Sequence, residues 1–225
     1  PTDPSRVQIQ DLAGDIVAVL DDARVESATL IGHSMGVQVA LETYRLAPER
    51  VRALILVCGA PSHPLKSFRG GSRAHELLPQ VIDWVHKIPN VVNRVMKWSM
   101  PTRLAYEVAS RLEIRRELVN PDDFMPYLTG MAHMDARLFL TMLASAAEHS
   151  AEDVLPTIRV PTLVVAAALD GFTPPERSDE MVSKIPGAQI LRVINGSHTA
   201  PIERPDLVVP AICDFLREHV DRSAA

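Results

Sequence analysis

Apolar residues follow two rhythms along this chain. Between positions 9 and 20, Ile9, Leu12, Ile16, Val19 and Leu20 recur at the spacing of one helical face, and the polar run DDARVES ends the pattern. Four short stretches are instead apolar almost throughout: ATLIG (28–32), VRALILV (51–57), PTLVVAAA (161–168) and AQILRVI (188–194). Each reads as a strand covered on both faces, and helical patterns at 35–47, 174–185 and 205–219 follow the first, third and fourth. Pro48 stops the first of these helices. Apolar strands alternating with helices predict an α/β fold built on a mostly parallel sheet with helices on both faces.

Between the second and third strands lie roughly a hundred residues without a strand pattern, too many for an ordinary crossover. ELLPQVIDWVHKI, RLAYEVASRLEI and ARLFLTMLASAAEH read as amphipathic helices, with breaks at Pro89, Pro101, Pro121 and Pro126. The pattern predicts a helical lid inserted over one end of the sheet. It divides the chain into a first core part (1–61), the lid (62–155) and a second core part (156–225).

Composition narrows the partners. The 225 residues are 47% hydrophobic and 23% charged, ordinary for a soluble globular protein, and the net charge is -5. No basic run is present, which argues against a nucleic-acid or membrane partner. In RLEIRREL (111–118) glutamates alternate with the arginines, as on a solvated helix face. No apolar run reaches the ~18 residues a membrane span needs, and no secretory signal pattern is visible. The two cysteines, Cys58 and Cys213, sit in apolar surroundings and read as buried free thiols. A cytoplasmic location is expected, although the chain opens at Pro1, so a leader or more could precede it.

One junction carries chemistry. The strand ATLIG passes into a helix through Gly32-His33-Ser34-Met35-Gly36, the G-x-S-x-G spacing that holds a serine on a sharp strand-to-helix turn. Small residues two before and two after the serine are expected to relieve crowding there. The bland alternative is a tight turn with a surface serine. Ser34 would project above the carboxyl edge of the sheet, with the Met35 N–H aimed at a developing oxyanion. A serine hydroxyl needs a base, and the base needs a group to orient it.

Eight histidines compete for that task. His198, in the loop after the last strand, lies at the same sheet edge as Ser34, and His63 after the second strand is its positional rival. His75, His86, His133, His149 and His219 fall on helical patterns and read as surface or lid residues. His33 points away from Ser34 and reads as a pocket or packing residue. Asp170 follows the third strand at the same edge, where it could equally form a turn or cap a helix.

These segments resemble a single-domain serine α/β-hydrolase, of the group holding esterases, cofactor-free haloperoxidase-like enzymes and lactone hydrolases. The resemblance rests on GHSMG, PTLVVAAALDGFTPPERS and GSHTAPIERPDLVVPAICDFL, and covers nearly the whole chain apart from the lid. It implies Ser34 as nucleophile, His198 as base and Asp170 as its partner, in the order Ser, Asp, His. Relatives acting as epoxide hydrolases or haloalkane dehalogenases carry aspartate at the nucleophile position, which Ser34 argues against. Members of the group also carry several strands ahead of the helix at 9–20, and a loop after one of them donates a second oxyanion N–H. No such motif precedes Ser34. The N-terminal part of the sheet is therefore expected to be missing, leaving the ATLIG strand as an open edge through which copies could associate.

The expected reaction is hydrolysis of a carboxylic ester or related small-molecule acyl substrate through an acyl-enzyme, without metal or organic cofactor. C–C bond hydrolysis or acyl transfer on the same residues, or a catalytically silent hydrolase-fold protein, are the alternatives. Trp84, Trp98, Met96, Met100, Phe124, Met125, Met131, Met134 and Met142 would line an apolar acyl pocket or fill the lid core.

Overall fold

The computed structural model describes residues 6–64, 80–85, 87–112 and 115–220. Helix α1 (Ile9–Asp22) leads into strand β1 (Ala28–His33), helix α2 (Met35–Leu46) and strand β2 (Val51–Val57). Among the described residues, the helices that follow include α3 (Pro89–Ser99), α4 (Arg103–Leu112), α5 (Pro121–Ala132) and α6 (Ala136–Glu148). The chain then returns through β3 (Thr162–Ala167), α7 (Pro175–Lys184), β4 (Gln189–Val193), the short α8 (Ala200–Glu203) and α9 (Pro205–His219).

The four strands form one parallel sheet in the order β1-β2-β3-β4. Burial explains why β2 and β3 read as unbroken apolar runs. Leu54, Leu56 and Val164 pack one face of the sheet against Val37, Leu41 and Met181 of α2 and α7. Ile55, Val57 and Val165 pack the other against Val208 and Phe215 of α9. With a helix layer on each side, successive side chains are buried whichever way they point.

The outer strands differ. At one border of the sheet Ile31 of β1 is 56% exposed, and the expectation of a strand covered on both faces does not hold there. On α1 the packed residues are Ile9, Ala13 and Leu20, whereas Val19, expected on that face, is exposed.

The helices between β2 and β3 depart from expectation at three prolines. Pro89 and Pro121 begin helices rather than break them, since a proline at the first helical position lacks only an N–H that would be unpaired anyway. Pro126 lies inside α5, where Phe124, Leu128 and Ala132 are buried at four-residue spacing. Packing of that face, with Tyr106 and Val119 in the same cluster, outweighs the proline's propensity. The helix expected over 76–88 falls partly outside the described residues, as do His75 and His86.

Two further expectations are corrected. His149, read as a surface or lid residue, is buried, and its Nε2 meets the Glu42 carboxylate at 3.0 Å, linking the end of α6 to α2. Buried charge persists only with such a partner. Cys58 is buried but Cys213 is exposed; both are free thiols. Among the described residues, no helix is long and apolar enough to cross a membrane.

Candidate active site

Parallel strands deliver their carboxyl ends to one edge, and three loops meet there. Ser34 follows β1 directly, Asp170 lies just beyond β3, and His198 lies beyond β4. The backbone stitches these loops together: Ala168 donates its N–H to the Val193 carbonyl and Leu169 to that of Gly196, both at 3.0 Å.

Ser34 adopts φ 57° and ψ -120°, a region an L residue rarely occupies. Its N–H donates to the Val57 carbonyl at 3.0 Å, and its carbonyl accepts from the Val37 N–H at 3.1 Å. This turn requires bare backbone nearby. A Cβ on Gly32 would lie 2.3 Å from the Gly36 carbonyl oxygen. A Cβ on Gly36 would meet nothing within 4 Å, so crowding does not explain that glycine, contrary to expectation. The second tight position is Gly59 at the end of β2, where a Cβ would lie 2.4 Å from Val37 and 2.6 Å from the Ser34 carbonyl oxygen. Sequence reasoning missed Gly59. Its only signal was a glycine at a strand end.

His198 Nε2 lies 2.9 Å from Ser34 Oγ. Its Nδ1 lies 3.0 Å from Asp170 Oδ2 and 3.1 Å from Oδ1. A carboxylate only accepts, so Nδ1 carries the proton and Nε2 presents its lone pair to the serine hydroxyl. Asp170 is 1% exposed and accepts three further bonds: from the Phe172 and Thr173 N–H groups at 2.9 and 2.8 Å, and from the Thr173 hydroxyl at 2.8 Å. The turn-forming and histidine-orienting readings of Asp170 thus coincide in one side chain. Thr173, which the sequence did not single out, holds both carboxylate oxygens, Oδ1 through its N–H and Oδ2 through its hydroxyl. An imidazole in this setting can take a proton from the hydroxyl and remain oriented once it is charged.

His33 lies beside this array rather than in it. Its Nε2–H donates to the His198 carbonyl at 2.9 Å, and the two rings sit 5.0 Å apart. The outer edge of His33 is exposed, yet loss of water around the ring holds its pKa below the usual imidazole value, with the His198 carbonyl bond opposing the shift. His63, the positional rival, turns to the end of α6, where Nδ1 meets the Ala147 carbonyl at 3.1 Å. Burial, with the Asp170 and Glu203 carboxylates adding to it, pushes the Cys58 thiol far up, which keeps it protonated and unreactive.

A cavity of about 640 Å³ opens at His198, between α4 and α5. Met100, Leu104, Val108, Phe124 and Met131 line it, with Phe172 standing edge-on to the His198 ring. No Asp, Glu, Lys or Arg side chain is among the described residues lining it. Of the remaining aromatic and methionine candidates, Trp84, Trp98 and Met134 are exposed, and Met125 packs in the core of the inserted helices. Among the described residues no group of three His, Cys, Asp or Glu side chains could hold a metal ion.

The sequence model of the alpha/beta hydrolase fold matches residues 1–205. The chain therefore belongs to the α/β-hydrolase fold family and is an enzyme of hydrolase type. RutD of Azorhizobium caulinodans, named for carbamate hydrolysis, is 28% identical over 93% of this chain and 74% of its own length. The hydrolase YugF of Bacillus subtilis is 24% identical over 92% of this chain and 72% of its own. Among solved structures, a thermophilic esterase from Thermogutta terrifontis superposes with a TM-score of 0.70 at 24% identity, covering 94% of this chain and 72% of that one.

Proposed function

We propose that the protein is a serine hydrolase that cleaves a carboxylic ester with an apolar acyl group. One observation carries this reading: a serine hydroxyl 2.9 Å from an imidazole nitrogen whose other nitrogen faces a buried carboxylate. Ser34 Oγ attacks the carbonyl carbon while His198 Nε2 takes its proton. The Met35 N–H donates to the oxyanion of the tetrahedral intermediate. His198 then gives the proton to the departing alcohol, leaving an acyl group on Ser34. Water, deprotonated by the same imidazole, releases the acid. Asp170 fixes the ring and faces the positive charge while it exists.

The inserted helices, read as a lid over 62–155, supply the acyl cavity. A wall dominated by methionine, leucine, valine and phenylalanine takes up methylene groups and offers no lysine or arginine to pair a phosphate or carboxylate. The substrate in this reading is an uncharged small-molecule ester.

Labelling with a fluorophosphonate probe tests the proposal, because the probe traps only an activated serine. The wild type is expected to label and to hydrolyse aryl esters, and Ser34→Ala to do neither. Labelling that survives Ser34→Ala would overturn the assignment of the nucleophile.

A further inference from the structure

Glu203 is the last residue of α8, which follows the His198 loop, and it is 3% exposed. A carboxylate at that depth needs donors. Oε2 accepts from the Ser197 N–H at 2.6 Å. Oε1 accepts from the Ser197 hydroxyl at 2.6 Å, the Thr199 hydroxyl at 3.2 Å and the Arg115 N–H at 2.7 Å. Ser197 and Thr199 are the immediate neighbours of His198, so one carboxylate holds the residue before the imidazole by its N–H and hydroxyl and the residue after it by its hydroxyl.

The grip is anchored. Glu203 N–H donates to the Thr199 carbonyl at 3.0 Å and Arg204 N–H to that of Ala200 at 2.8 Å, while Ala200 is fully buried in the core under α9. Asp170 and Glu203 therefore control different freedoms. Asp170 sets the rotation of the ring. Glu203 sets where the loop holds the Cα from which that ring hangs. The fourth donor, Arg115, belongs to the connection between α4 and α5, the two helices that enclose the acyl cavity.

We propose that Glu203 is a positioning residue: through Ser197 and Thr199 it fixes His198 over Ser34, and through Arg115 it ties that position to the cavity wall. The inference rests on the serine-hydrolase reading. It adds a second buried carboxylate with a task distinct from that of Asp170.

Glu203→Gln in the full chain is the test. It preserves volume but turns an amide N–H toward groups that are themselves donors. A displacement of the base by ~1 Å costs on the order of 10²-fold in rate, so kcat for a short ester is expected to fall about 30- to 100-fold while KM changes less than about threefold. A loosened His198–Asp170 bond lowers the imidazole's proton affinity, so the acidic limb of the pH–rate profile is expected to move to lower pH. Glu203→Asp, which keeps the charge, should recover part of kcat. A purely structural carboxylate would move the unfolding midpoint and leave kcat and the limb in place.

If Glu203→Gln does not fold, Ser197→Ala and Thr199→Val each delete one hydroxyl donor, and each is expected to lower kcat about 3- to 10-fold. Wild-type kcat in both overturns the proposal, as does a folded Glu203→Gln with unchanged kcat and acidic limb. In those cases an active wild type leaves the serine-hydrolase reading standing. A wild type that neither labels nor turns over esters removes that reading and this inference together.

Discussion

At the scale of single residues, the geometry around Ser34 is held by atoms that are absent. Its backbone conformation costs on the order of 1–3 kcal/mol and persists because Gly32 and Gly59 let α2 and β2 close on it. Gly59→Ala is expected to lower the unfolding free energy by about 1–3 kcal/mol, read as a shift of the urea midpoint, with loss of ester turnover. Gly36→Ala has no clash to create and removes a helical glycine, so its midpoint should rise by the equivalent of up to about 1 kcal/mol. Equal effects from the two substitutions would contradict this account.

His33 adds a pH dependence of definite sign. Its folded pKa lies below the ordinary 6.5, so as pH falls the unfolded chain takes up this proton first. Stability from this group is complete above about pH 6.5 and declines as pH drops through the depressed folded value. Denaturation followed from about pH 8 to pH 5 should give a steeper decline for the wild type than for His33→Asn. Parallel curves would rule out the neutral, desolvated His33.

At the scale of elements, α4 and α5 line the cavity and, in the proposed function, set which acyl groups it accepts. Each further buried methylene contributes about 0.8 kcal/mol, or roughly fourfold in kcat/KM, until the cavity is full. Activity toward aryl esters should climb with acyl length on that gradient. Ala109, on the cavity wall, offers the matching variant. Ala109→Phe is expected to lower kcat/KM for long-chain esters tenfold or more and to leave acetate esters unchanged. A flat chain-length series would place the acyl group elsewhere.

The central strands β2 and β3 and the core helices were legible in the sequence because burial on two faces leaves an unbroken apolar run, and burial on one leaves a periodic one. The inserted helices were less so. In α5 the decisive fact is that Phe124 and Leu128 meet Tyr106, a contact between segments that local propensity does not encode, and so Pro126 misled.

At the scale of the whole molecule, the meeting of Ser34, Asp170 and His198 was legible for a topological reason. Loops that follow parallel strands emerge at one edge, so residues just past strand ends can be placed together without knowing the strand order. What lay beyond that reach was the support. Thr173, Gly59 and Glu203 look unremarkable in the chain; a glutamate in a polar loop reads as solvated until its four donors, one of them 88 positions away, are in place. Cys213 shows the converse, an apolar neighbourhood in sequence that faces solvent in space.

The sequence separation between Ser34 and the imidazole it meets has one more consequence. Ser34 and His198 stand 164 positions apart, and only the complete β1-β2-β3-β4 pairing brings them within reach. During synthesis, which runs at about 5–20 residues per second, the serine leaves the ribosome many seconds before its imidazole. Through that interval the nascent chain carries an ordinary, unreactive hydroxyl. Under the proposed mechanism, acylation of Ser34 by an ester or a covalent inhibitor begins only after the last strand has docked, so the fluorophosphonate probe would report completed folding as well as activity.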